Sequence, residues 1–212
     1  MALQAKMFLA DDRGCSESDR FRSYSTFNFG DFYQPNKQAF FNLSILNDVT
    51  IAAKHHLCVH IEQPSFFYLL PLVGSVVCHH SNGDHLIQPG QLFLVDCQND
   101  SCLQISNPYE CELVNFIWFA IHSTSTETDF NSQTITFNLE VNQNKLINIS
   151  TLITPGSTSF PTSLHVSVGK FSGRNEAVFH PVNKQSSLFV FVIQGAFEVE
   201  GRLLHARDGL AL

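Results

Sequence analysis

Histidine is concentrated in one part of this 212-residue sequence: six of the ten histidines fall between positions 55 and 85. Imidazole binds first-row transition metals, and thiolate or carboxylate groups can complete such a site. If residues 55–62 form a strand, alternate side chains share one face. That face carries four groups that could bind a metal: His56, Cys58, His60 and Glu62. The pattern permits a metal site, but a strand face exposed to solvent is the favoured interpretation of these residues.

A second cluster, HHSNGDH, occupies residues 79–85. Asn-Gly between two runs is a strong signal for a tight β-hairpin turn, and a turn at residues 82–83 would place His80 opposite His85. Directly opposed side chains lie about 5 Å apart at Cβ, close enough for two imidazoles to bind one metal ion. The alternative is an exposed polar hairpin tip.

Other types of functional site find little support in the sequence. A GxSxG elbow, an HExxH helix and a Gly-rich phosphate loop are absent. The net charge of −7 argues against a nucleic-acid partner, since such partners require clustered Lys and Arg. The six cysteines form neither a CxxC pair nor a zinc-finger spacing, and we expect reduced thiols: Cys15, Cys58, Cys78, Cys97, Cys102 and Cys111.

A membrane partner and a secretory route are not expected. No apolar run approaches the roughly 20 residues of a membrane span. The first ten residues are followed at once by Asp11, Asp12 and Arg13, unlike a secretory signal. The sequence therefore predicts a cytoplasmic protein.

Short strands must position these residues. The twenty phenylalanines and the turn signals every 8–12 residues from position 50 onward are typical of all-β sandwiches and barrels. A Ser/Thr/Asn-rich stretch at 123–133 is a candidate linker between two β-rich halves, 1–134 and 135–212. The predicted strands are 57–61, 66–72, 75–80, 85–87, 91–95, 102–106 and 113–121, then 135–141, 145–150, 164–171, 177–180, 188–193, 196–199 and 202–205.

The second half is short, and its last residues form an apolar run, DGLAL. A sandwich ending there would expose a strand edge and a core face. We expect this edge to be covered by the N-terminal segment (residues 1–12 could pack on the second half), by a second copy or another chain, or by further residues.

Three segments make the chain resemble the pirin family, bicupins of the cupin superfamily that include bacterial quercetinase-like members. Residues 20–30, RFRSYSTFNFG, are similar to the family's early S-(Y/F)-x-T-F-x-F segment. The run from Asn47 through Gly74 to the PGQ at 89–91 looks like the first cupin core. The run from FVIQG at 191–195 to DGLA at 208–211 resembles the C-terminal cupin. The resemblance implies two cupin-like β-sandwich or barrel domains, the C-terminal one shortened and incomplete.

The family's metal site is where the chain departs from this resemblance. The family pattern places His-x-His on one strand, then a His and a Glu just before an Asn-Pro turn. Those positions fall on His60 and Glu62, and on Leu103 and Ile105, neither of which can bind a metal. Phe66 stands where the cupin motif has a Glu. We expect a degenerate site in which Phe66, Leu103 and Ile105 line an apolar pocket.

Three functions remain open at this point. The first is a pirin-like bicupin that has lost its dioxygenase activity and binds a small apolar or aromatic ligand or another protein. The second is a quercetin 2,3-dioxygenase-type enzyme whose rebuilt site holds one divalent metal (iron, nickel or zinc) on His60 and Glu62. The third is an assembly role, in which a homodimer or another chain completes the second half.

Overall fold

A computed structural model describes residues 5–80, 83–98, 101–123, 132–153, 165–181 and 186–212. The described part is almost all β, with two single-turn 3₁₀ helices at Ala10–Asp12 and Ile149–Leu152. None of its helices has the length and apolarity needed to cross a membrane. The strands are β1 (Lys6–Phe8), β2 (Gly14–Glu17), β3 (Phe21–Ser25), β4 (Leu43–Ile51), β5 (His56–Ile61), β6 (Ser65–Val73), β7 (Val76–His80), β8 (Gly83–Ile87), β9 (Gln91–Cys97), β10 (Ser101–Ser106), β11 (Val114–His122), β12 (Ser132–Thr136), β13 (Leu146–Asn148), β14 (Ser167–Gly169), β15 (Phe189–Phe191), β16 (Phe197–Val199), β17 (Arg202–Leu204) and β18 (Gly209–Ala211).

Two sheets build the first half. A seven-stranded sheet has the order β12-β9-β6-β11-β4-β3-β2, and a four-stranded sheet has the order β5-β10-β7-β8. Their facing side chains form one buried cluster, here called the inner core, to which both sheets contribute. The architecture is a cupin-like sandwich whose small sheet presents its other face to the outside.

Within the seven-stranded sheet, β6 is buried on both faces, which explains its apolar run SFFYLLPLV. Phe67 and Leu69 point into the inner core. Phe66 and Tyr68 point to the opposite side, where they pack with residues of the second half such as Ile149 in a cluster here called the junction core. The large sheet is therefore the layer shared by the two halves.

The second half consists of short strands in small sheets. β13 pairs with β14, and β16 pairs with β17. β18 lies in the middle of a three-stranded sheet between β1 and β15. Gly209 permits this packing, because a Cβ there would lie 2.7 Å from the Phe189 ring. The N-terminal segment thus covers one edge of β18.

A buried polar network joins the halves. Asp48, on β4 and only 8% exposed, accepts a hydrogen bond of 2.6 Å from Nε of Arg207 and one of 2.7 Å from Nδ2 of Asn115. Arg13 brings a second guanidinium to within 3.6 Å of the same carboxylate. Asp208 accepts from the backbone N–H of Ala10 at 2.7 Å. These contacts fix both the N-terminal segment and the 205–208 turn against the first half.

Several sequence-based expectations need correction. Residues 177–180 were expected to be a strand, but they form an irregular, largely exposed segment. The end of the predicted strand 145–150 is the start of a 3₁₀ helix. The division at 134/135 stays a prediction; β12 runs across that position and pairs with β9. Most of the candidate linker at 123–133 lies outside the described residues.

Candidate functional site

The inner core occupies the place where the pirin resemblance puts a metal. Leu103 and Ile105 of β10 are completely buried there. Antiparallel pairing sets Leu103 opposite Val59 of β5. Val59 and Ile61 belong to the same buried cluster. The side chains that face the interior at this level are therefore apolar.

His60 and Glu62 do not meet Leu103 and Ile105. Alternate residues of β5 face opposite sides, so Val59 and Ile61 point inward and His60 points outward, opposite Cys102. Glu62, just after β5, is exposed. The family pattern thus assigns the ligand positions to two exposed side chains that lie outside the inner core.

Phe66 also lies elsewhere than the expected pocket. It is buried, but in the junction core on the far side of the seven-stranded sheet. One layer of backbone separates it from Leu103 and Ile105. The three residues expected to line one pocket are divided between two clusters.

The residues present do not fit a metal held by imidazoles and a carboxylate. Within the inner core, two thiols could in principle bind a metal, Cys78 and Cys97. Burial raises the pKa of Cys78 to about 12, and burial likewise raises the pKa of Cys97. Such thiols stay protonated at neutral pH, whereas the thiolate is the metal ligand. Among the described residues, no group of three or more His, Cys, Asp or Glu is placed to hold a metal ion.

The 79–85 cluster has a different register from the expected one. The Cα partner of His80 is Gly83, and that of His85 is Cys78, so the two imidazoles are not directly opposed. Residues 81 and 82 lie outside the described residues. Burial, and secondarily the charge of His85, lowers the pKa of His80. His85 packs on Phe93 with ring centroids 4.8 Å apart.

A hydrogen-bond chain that the sequence motifs did not signal runs across the outer face. Oδ1 of Asp84 lies 2.7 Å from Nδ1 of His79, and Nε2 of His79 lies 2.8 Å from Oγ of Ser106. Ser-His-Asp connectivity serves nucleophilic catalysis where donors also stabilise an oxyanion. Here Asp84 is exposed and the chain crosses an open sheet surface. We assign this hydrogen-bond chain a structural role: it links β8 to β7 and β10.

Comparison with known proteins gives a family match for the C-terminal part. Residues 155–212 match the family described as the quercetinase C-terminal cupin domain. A sequence search of curated proteins gives no match.

Solved structures match over nearly the whole chain. The bacterial pirin YhhW from Escherichia coli, in complex with nickel(II), aligns with a TM-score of 0.80 at 18% identity, covering 99% of this chain and 90% of that chain. The protein YhaK from Escherichia coli aligns with a TM-score of 0.58 at 15% identity, covering 90% and 84%. GK1651 from Geobacillus kaustophilus aligns with a TM-score of 0.56 at 12% identity, covering 100% and 86%. The C-terminal part of the chain thus matches the quercetinase C-terminal cupin family, and the fold of the chain is that of bacterial pirin YhhW.

Proposed function

We propose that this chain is a pirin-type bicupin without metal-dependent dioxygenase activity, acting in the cytoplasm as an interaction protein. One observation carries the proposal: the interior at the level of the expected metal is filled by Val59, Ile61, Leu103 and Ile105, all buried and apolar. Catalytic metal sites usually have three or more protein ligands with N, O or S donors, and hydrocarbon side chains supply none.

The dioxygenase alternative would need a rebuilt site on the outer face. His56, Cys58 and His60 do share that face, and all three are exposed. Successive members of such a row are about 6.6 Å apart along the strand, which prevents the three from converging on one ion without a large distortion. The geometry therefore favours the non-enzymatic function.

Binding at the surface is favoured over a ligand inside the first barrel. A small apolar ligand would have to displace fully buried side chains of the inner core, Leu103 and Ile105 among them. Two large aromatic residues are instead open to solvent, Tyr33 at 69% and Phe41 at 74%. Phe41 lies in the tight turn closed by backbone hydrogen bonds between Phe40 and Leu43, where its φ is 51°, and its ring meets that of Phe40 edge-on with centroids 4.9 Å apart. Exposed aromatic rings of this size support a contact with a protein partner, including a second copy of this chain.

The test is metal analysis by mass spectrometry of protein purified without a His-tag or chelator, before and after incubation with nickel(II) or iron(II). Bacterial pirin YhhW, solved with nickel(II), is the control for loading. We expect metal near zero per chain, and no metal-dependent oxygen uptake with quercetin in an oxygen electrode. About one tightly held metal per chain, or metal-dependent oxygen uptake, would overturn the proposal.

Self-association is tested separately by light scattering over a range of protein concentrations. The matched pair is the parent chain and Phe41→Asn, since Asn tolerates a left-handed φ. A concentration-dependent dimer that the substitution weakens would support a second copy as the partner. A monomer at all concentrations would exclude a second copy and direct the search to other proteins.

A further inference from the structure

Two cysteines lie side by side on the outer face of the four-stranded sheet. On neighbouring antiparallel strands, Cys102 is paired with His60 and Cys58 with Gln104, so the cysteines are diagonal neighbours. Their Sγ atoms are 3.1 Å apart. Both side chains are exposed. Two thiols in contact and open to solvent form a site that small reagents can reach.

The contact between the two thiols is a hydrogen bond with one donor and one acceptor. The thiol of Cys102 donates a hydrogen bond to Sγ of Cys58. This hydrogen bond, and then partial burial, raises the pKa of Cys102. Because Sγ of Cys58 accepts this hydrogen bond and a thiolate is the nucleophile in disulfide exchange, we assign Cys58 as the attacking sulfur and Cys102 as the resolving one.

The other cysteines differ in ways that make them useful comparisons. Cys78 and Cys97 lie in the inner core, and burial raises the pKa of both thiols, which makes them inert. Cys15 is exposed, but it lies on β2 of the seven-stranded sheet, with Tyr24 as its Cα partner. Cys15 reports how an exposed cysteine outside the pair reacts.

The two sulfur atoms already lie near bonding distance. A disulfide has an S–S length of about 2.05 Å, so the two sulfurs must approach by about 1 Å. β5 and β10 are already held in register from Ser101↔Ile61 to Ser106↔His56. The exposed position leaves both side chains room to rotate, and it leaves the resulting disulfide open to reduction.

We propose that Cys58 and Cys102 form a reversible dithiol–disulfide site that exchanges with small disulfides of the glutathione class. The Cys58 thiolate attacks one sulfur of the small disulfide, and the S–S bond of that molecule breaks. The first thiolate leaves and takes up a proton. Cys102 then loses its proton to solvent and attacks Sγ of Cys58, releasing the second small thiol. The two protein thiols are oxidised by two electrons, and one small disulfide is reduced to two thiols.

The test uses the full chain in buffers of varied reduced-to-oxidised glutathione ratio. Free thiols are then alkylated in acid, and the linked peptides are identified by mass spectrometry. We expect an intrachain Cys58–Cys102 bond that grows with the oxidised fraction and disappears with excess reduced glutathione. Cys15→Ser should titrate like the parent chain. Cys58→Ser and Cys102→Ser should lose the intrachain bond and instead accumulate a glutathione adduct on the remaining cysteine of the pair.

Three results would overturn the proposal. The first is full alkylation of Cys58 and Cys102 at equilibrium with oxidised glutathione. The second is a stable glutathione adduct on the parent chain without the intrachain bond. The third is a disulfide-linked dimer on a non-reducing gel that is joined through Cys58 or Cys102. Circular dichroism of each variant establishes that the fold is kept, so that a lost bond reports on the sulfur chemistry.

Discussion

The Nε atom of Arg207 lies 2.6 Å from Oδ2 of Asp48, joining residues 159 positions apart in the chain. Arg207 adopts a φ of 70°, in the left-handed region. Its guanidinium also donates to the carbonyl of Ile193 and, at 3.4 Å, to Oδ1 of Asn115. The side chain thus holds the 205–208 turn to β4 and β11 at once, which explains why an unfavourable backbone conformation is kept there.

Replacing Asp48 should loosen the attachment of the two halves. Asp48→Asn leaves the guanidiniums of Arg13 and Arg207 without their buried carboxylate, and breaking a buried pair in this way costs about 3–5 kcal/mol. The measurement is the free energy of unfolding in urea. Glu110→Gln is the matched control, because it removes an exposed ion pair with Lys54 and should cost less than about 1 kcal/mol. Equal losses in the two variants would contradict the assigned role.

The inner core should respond to substitution as a packed hydrocarbon core does. Leu103→Ala leaves a cavity among fully buried side chains and should cost about 2–5 kcal/mol of stability. Glu62→Ala, at the exposed end of β5, should change it by no more than about 0.5 kcal/mol. Urea denaturation of both variants measures the difference. A small loss for Leu103→Ala would mean that this region contains spare volume for a ligand.

The buried hydroxyl of Tyr68 should destabilise the folded state. Tyr68 is 1% exposed, and its Oη has no hydrogen-bond partner among the described residues. Burial raises the pKa of this phenol, so the group stays neutral. Tyr68→Phe keeps the ring stacked on Phe119 and should raise the free energy of unfolding by about 1 kcal/mol.

Tyr109 provides the opposite case for the same substitution. Its hydroxyl accepts from the backbone N–H of Ser75 at 3.0 Å and donates to the Ser75 Oγ at 3.1 Å. Tyr109→Phe should therefore lower stability by about 1 kcal/mol. A loss of stability in Tyr68→Phe as large as in Tyr109→Phe would show that the Tyr68 hydroxyl is satisfied.

Asp96 should make stability depend on pH. It is 8% exposed on β9, and burial raises its pKa, while a hydrogen bond from Gln98 opposes that shift. The folded state therefore binds the proton more tightly than the unfolded state, where the pKa is about 4. As the pH rises from the pKa of Asp96 in the unfolded state to its higher pKa in the folded state, the free energy of unfolding falls. The full loss of stability is present at neutral pH.

Asp96→Asn removes this titration and is expected to be more stable than the parent chain at pH 7. The difference should shrink as the pH falls through the interval between these two pKa values and vanish near about pH 3. Thermal unfolding of both proteins across the pH range measures the difference directly. A constant difference from pH 7 to about pH 3 would show that Asp96 does not titrate with a raised pKa.

The strands of the two sheets in the first half could be predicted from the sequence. Alternation of apolar and polar residues and turn residues mark them, and both are properties of neighbouring positions. The predicted strands 57–61 and 102–106 correspond to β5 and β10 within one residue. The face assignment within β5 was also predictable, with His56, Cys58 and His60 on one side and Val59 and Ile61 on the other. The sequence did not predict which of these two faces points into the inner core, because that depends on how the whole four-stranded sheet packs.

Features that depend on contacts between distant residues could not be predicted from the sequence. β18 was not predicted as a strand; it lies between β15 and β1, and the β1 partner is some 200 positions away. The predicted strand 177–180 failed for the converse reason: its local pattern favours a strand, but its residues are largely exposed and unassigned to any sheet. The Cys58–Cys102 contact likewise depends on the register of β5 with β10, which spacing alone does not give.

The pairing of β1 with β18 also has a consequence for how the protein is made. Lys6 is synthesised some 200 residues before its partner Ala211. β1 must therefore remain without this neighbour while the residues between them are added, and its sheet can close only after the first sandwich has been synthesised. A fusion placed before residue 6 would sit beside this late-closing sheet, so the position of an affinity tag should affect the yield of folded protein.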